Sequence, residues 1–165
     1  MTGGRAEVLR AMVRYITGSA VLHLAWESLH LPLYTLGSGP SGERIFAVIH
    51  CTGGDVLIAG VTLCVTLILA GRGWPETSGY RVAAITTLLG VGYTIFSEWL
   101  NVEIRRSWAY APSMPLVPPF GTGLTPLLQW LVLPGIALMF ATRSVGRHRT
   151  RERRRQNRRD KPAKP

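Results

Sequence analysis

The sequence predicts an all-α protein, an integral-membrane four-helix bundle, and three observations carry that reading. Four separate apolar runs of about 20 residues each recur along the chain, the length a helix needs to cross a bilayer. Hydrophobic residues make up 47% of the 165, although a very polar C-terminal segment dilutes that figure. Basic residues collect between alternate runs, the bias expected of a multi-pass topology.

The first run covers about residues 13–33, after Arg5, Arg10 and Arg14, with Pro32 near its end. Its interruption by His23 and Glu27 argues for a retained span and against a cleaved leader. A Gly-Ser-Pro loop, residues 37–42, separates it from the second run, about 45–69. Gly71-Arg72-Gly73-Trp74-Pro75 ends that run, and the third covers about 82–104. A loop rich in Pro and aromatic residues follows, from Trp108 to Phe120, and the fourth run covers about 124–142. Residues 1–142 therefore read as one transmembrane bundle. Residues 143–165 read as a basic cytoplasmic tail, too poor in apolar side chains to bury a core and expected to be disordered or helical only at its start.

The net charge of +10 belongs almost wholly to that tail, which holds 11 Lys/Arg against two acids. The body is nearly neutral, with 8 basic and 7 acidic residues. A topology anchor that touches anionic head groups accounts for the tail without nucleic acid as a partner. With both termini on the cytoplasmic side, 16 basic residues lie inside and three (Arg44, Arg105 and Arg106) lie outside. Cys51 and Cys64 stand about 20 Å apart on one helix, too far to bridge. No zinc spacing is present, and the reading calls for no cofactor and no metal.

The informative residues are polar ones inside apolar runs, because ionised groups are costly in hydrocarbon. The first run carries His23, Glu27 and His30, spaced i, i+4, i+7 on one helical face. The second carries His50 and Asp55, the third Glu98 and Asn101, and the fourth Thr125 and Gln129. In the predicted topology Glu27, Asp55, Glu98 and Gln129 fall at one depth in the outer half, which implies a shared pocket. Thr94, Glu98, Asn101 and Arg105 form a second stripe, and Gly53-Gly54 lets a helix or ligand approach the backbone closely. Arg105 and Trp108 sit where they could cap that pocket. Each group also has a bland reading: Glu27 paired with its neighbouring histidines, Glu98 with Arg105 or Asn101, Asp55 with Thr52, Gln129 as helix–helix glue, and Trp108 in an interfacial belt.

At these residues the chain resembles a known family. Leu22 to Glu27 (LHLAWE) is similar to the His-x-x-x-Glu of the first core helix in the emopamil-binding protein family of membrane sterol isomerases, the EXPERA-domain group. Gly90 to Leu100 resembles that family's helix ending in a Thr-Glu pair, here Ser97-Glu98. Gln129 to Leu138 looks like its last helix, with Gln129-Trp130 near the family's Asn and Trp and Leu133-Pro134-Gly135 at the end. Asp55 is the nearest acid to that family's second-helix Glu. The string SEWLN…WAY…GTGL also resembles bacterial four-span membrane proteins, which implies a bacterial cytoplasmic (inner) membrane.

The residues and the resemblance together point to an acid–base isomerase, hydratase or cyclase, or a non-catalytic binder, of an apolar lipid such as a sterol or isoprenoid. Glu27 or Glu98 would supply the proton, with the two facing each other across the pocket. His23, His50 or Asp55 would orient or accept it, and Trp130 would face a carbocation. Asn101, Gln129, Arg105 and Trp108 would hold the ligand. The same acids would also serve a proton-coupled small transporter or carrier subunit, and His23, His30 and His50 could instead ligate haem or a metal. Membrane lipids and an apolar small molecule are the expected partners, and self-association into a homo-oligomer stays open.

Overall fold

The four apolar runs fold as four helices in the computed structural model, which describes the backbone of residues 2–159 and the side chains of residues 4–143. They are α1 (Thr2–His30), α2 (Ser41–Ala70), α3 (Gly79–Trp99) and α4 (Leu124–Arg159). Each packs mainly on its two neighbours in a ring, so α1 and α3 stand diagonally opposed. Among the described residues, three helical stretches are long and apolar enough to cross a membrane: Ser41–Ala70, Gly79–Ile104 and Leu124–Arg143. α1 is not among them. Its composition is made polar by Arg10, Arg14 and a line of residues from Tyr15 to His30 that the bundle itself buries.

Helix ends follow local chemistry. α1 stops at His30, because Pro32 cannot continue an α-helix, and the chain enters a 3-10 turn over Leu31–Leu33. The third run divides. α3 ends at Trp99 and a π-turn occupies Leu100–Ile104, where the Arg105 N–H reaches the Leu100 carbonyl at 2.8 Å. A π-turn inserts an extra residue into the helical repeat, so whatever follows is rotated off the preceding stripe. α4 continues past the apolar span through Arg159 on strong helix formers. The tail, expected to be disordered or helical only at its start, is helix as far as Arg159, and residues 160–165 lie outside the described residues. Within α4, Pro134 withdraws an N–H from the Trp130 carbonyl.

The loops close one end of the bundle. The segment after α1 pairs with the segment after α3: the Thr35 N–H donates to the Ala109 carbonyl at 3.0 Å and the Ala111 N–H to the Leu33 carbonyl at 2.9 Å. Strands β1 (Leu116–Val117) and β2 (Thr122–Gly123) form a small antiparallel hairpin, turned by Gly121 at a φ of +66° that favours glycine. This is the capped end. The opposite half holds the apolar core, where Ala11, Ala59, Ala137 and Ala141 let the backbones approach closely around Leu63, Val82 and Leu138. There a buried hydroxyl pair, Thr86 to Thr66 at 3.1 Å, joins α3 to α2.

Candidate functional site

In the capped half, Gln129 of α4 ties α1 to α2. Its Nε2 lies 2.8 Å from His23 Nδ1, 2.9 Å from Glu27 Oε1 and 2.9 Å from Asp55 Oδ2. His23 Nδ1 is also 3.2 Å from Asp55 Oδ2. An amide nitrogen has two hydrogens for these three neighbours. A proton held by His23 or by a carboxyl group must therefore complete the network. Glu27 Oε2 continues it to His30 Nε2 at 3.0 Å, and His30 Nδ1 meets Thr125 Oγ1 at 3.3 Å. The i, i+4, i+7 spacing on α1 is what aims all three α1 groups at α4.

Glu98 of α3 anchors a second network on a different wall. Its Oε2 accepts from the Tyr34 hydroxyl at 3.4 Å and from the Tyr110 hydroxyl in a shorter contact. The Tyr110 oxygen in turn accepts from the Gly123 N–H at 2.9 Å, so one phenol links α3 to the hairpin. Burial pushes both phenols above their ordinary range, and the neighbouring Glu98 adds to the push. Both remain donors through neutral pH. The Trp108 indole N–H is buried close to Glu98 without an acceptor in hydrogen-bond geometry.

Both networks line one cavity of about 200 Å³. Trp130 forms part of its wall, 2% exposed and tilted against His23 at 5.2 Å between ring centres. Gly90 of α3 makes room for that indole, because a Cβ there would overlap the Trp130 ring. Among the described residues no Lys or Arg lines the cavity, while Glu27, Asp55 and Glu98 do. Its exposed lining residues, His50, Gly54 and Tyr93, lie on α2 and α3. α2 has buried residues only at Ala59, Thr62, Leu63 and Thr66, so it closes on the bundle only beyond the cavity.

The predicted residues fare differently. Glu27, Asp55, Glu98, Gln129, Trp130, Trp108 and His50 all border the cavity; His23 stands behind it, against Trp130. His50 is exposed on the rim, stacked on Phe46 at 5.4 Å. Glu27 and Glu98 share the cavity, but no hydrogen bond joins them, and the acid brought against Glu27 is Asp55. Asn101 and Arg105 stay outside the lining: the π-turn rotates them away, Asn101 bonds back to the Ser97 carbonyl at 2.8 Å, and Arg105 is exposed. His23, His30 and His50 do not converge, and among the described residues no three His, Cys, Asp or Glu side chains gather as a metal site. Sequence reasoning missed Tyr34 and the bond that Tyr110 makes to Glu98. Tyr34 carries a readable signal, because it continues the α1 spacing beyond His30 by four residues. Tyr110 carries none, since only loop pairing brings it over Glu98.

Compared with known proteins, the chain matches no family model, no curated protein and no solved structure.

Proposed function

We propose that the chain crosses the membrane four times, with the capped end outward, and that its cavity takes the uncharged end of an apolar lipid and moves a proton on it. The single observation that carries this reading is the lining. Among the described residues, three carboxyl groups and two histidines but no Lys or Arg border one cavity, and its exposed lining residues lie on two membrane-length helices. Phosphate and carboxylate head groups need cationic partners, so such a lining disfavours them. A cavity of about 200 Å³ is smaller than the roughly 300 Å³ at which drug-sized ligand sites begin. It would hold the reacting end of a sterol- or isoprenoid-class lipid while the remainder stays in the bilayer. The resemblance to membrane sterol isomerases points the same way.

In this reading Glu27 gives a proton to a carbon–carbon double bond, and a carboxylate on another wall removes one from a neighbouring carbon. The Trp130 ring would face the cation between the two steps. Asp55, Gln129 and His23 orient Glu27, and the two phenols hold Glu98 in place. A second reading, a proton-coupled carrier, draws on the polar line of α1, where Tyr15, Ser19, His23, Glu27 and His30 are all buried. Mass spectrometry of lipids that copurify with the protein separates the two. An intramembrane binder carries a defined neutral lipid that the Glu27→Gln variant retains unconverted. A carrier instead shows proton flux in liposomes, which Glu27→Gln stops. Full activity in both Glu27→Gln and Glu98→Gln would sink the acid–base reading.

A further inference from the structure

We infer that His30 is the proton relay that reloads Glu27 from the capped end of the bundle. The inference rests on the reading that Glu27 exchanges a proton inside the cavity. His30 is 7% exposed, at the last position of α1, and both ring nitrogens are engaged on opposite sides. Nε2 meets Glu27 Oε2 at 3.0 Å, and Nδ1 meets Thr125 Oγ1 at 3.3 Å. Thr125 is half-buried in the first turn of α4, next to the hairpin, and its hydroxyl lies 3.4 Å from the Met114 sulfur. The other route from Glu27 runs through Gln129, whose amide cannot carry a proton onward at ordinary cost. His30 is therefore the titratable group between Glu27 and the loops.

Hydrogen counting sets the resting arrangement. The Thr125 hydroxyl has one hydrogen, and the Met114 sulfur is an acceptor for it at 3.4 Å. His30 then donates from Nδ1 to Thr125 Oγ1 and leaves Nε2 as an acceptor. The hydrogen between Nε2 and Glu27 Oε2 belongs to the carboxyl in that state. After Glu27 gives this proton to a ligand, the imidazole shifts to its other tautomer, with hydrogen on Nε2 and a lone pair on Nδ1, and the Thr125 hydroxyl turns to Nδ1. A proton arriving at Thr125 allows its hydroxyl to protonate Nδ1, the resulting imidazolium releases its Nε2 proton, and the Glu27 O–H bond re-forms. One proton enters and one leaves the ring, which is neutral before and after. A reaction that returns its proton through Glu27 runs the relay backwards. The groups that face His30 are Glu27 on its own helix, Tyr34 with ring centres 5.3 Å away, Thr125 on α4 and Glu98 across the cavity on α3.

The test follows hydrogen–deuterium exchange of the Glu27 carboxyl by infrared spectroscopy on the full chain in lipid nanodiscs, with no ligand added. The Glu27 band is the one that Glu27→Gln removes. His30→Gln keeps a polar group in place and should slow its exchange at least tenfold. His30→Ala should be as slow, and free imidazole, which fits the space left beside the cavity, should restore the rate. 1-Methylimidazole, with one nitrogen blocked, should not. Thr66→Val, in the opposite half, should leave the rate unchanged. Wild-type exchange in His30→Gln, or equal rescue by both imidazoles, overturns the relay while leaving the acid–base reading intact. If no carboxyl band disappears in Glu27→Gln, the reading itself falls and the relay with it.

Discussion

The two halves of this bundle use the same four helices for opposite ends. In the half away from the loops, alanines bring the backbones together, and a single hydroxyl pair, Thr66 and Thr86, is the polar link between α2 and α3. In the capped half, α2 has no buried residue before Ala59, and carboxyl groups, histidines and phenols occupy the gap. The lesson concerns cost. Buried polar groups are tolerated only when hydrogen-bonded, and here one amide, two histidines and two phenols partner three acids. The closed half holds the helices in register so that the open half can keep a cavity.

Removing the amide should break the contrast most severely. Gln129→Leu removes the amide shared by His23, Glu27 and Asp55 and leaves only the His23–Asp55 and Glu27–His30 contacts, at about 1–3 kcal/mol for each group left short of a donor. Thermal unfolding in detergent should show the loss, and an unchanged midpoint would mean that the network does not support the fold. Next is Gly90, at the boundary between the halves. Gly90→Ala forces a methyl into the Trp130 ring and should cost about 1–3 kcal/mol, with a shifted tryptophan emission as its signature.

Alkaline titration probes the capped end more gently. The folded state holds the Tyr34 and Tyr110 protons more tightly than the unfolded chain does. Their stabilising contribution is complete below the ordinary phenol pKa of about 10 and is lost as pH rises above it. Tyrosinate absorbance should show Tyr34 and Tyr110 ionising late, and Tyr110→Phe should abolish one late step. The smallest effect on stability belongs to Gly54, where an added Cβ meets no atom within 4 Å. Gly54→Phe should change stability by no more than about 0.5 kcal/mol yet reduce copurifying lipid several-fold by filling the opening. Equal lipid recovery would show that the ligand enters elsewhere.

Much of this was legible in the linear pattern, because helices in series impose a simple geometry. Apolar run length located the four helices, and the i, i+4, i+7 spacing of His23, Glu27 and His30 put them on one face whatever lay opposite. Depth counting brought Asp55, Glu98 and Gln129 to the same level. What depth cannot supply is the angle of each helix about its axis and the identity of its neighbours. The ring order decided that Glu27 meets Asp55 through Gln129 and stands diagonally from Glu98. A π-turn, which leaves no mark in hydropathy, took Asn101 and Arg105 out of the lining. Tyr110 reached Glu98 because two loops far apart in sequence pair through backbone hydrogen bonds that any side chains would permit. Local periodicity is a property of the chain, but the partner across a cavity is set by long-range packing, and only the tertiary structure holds that information.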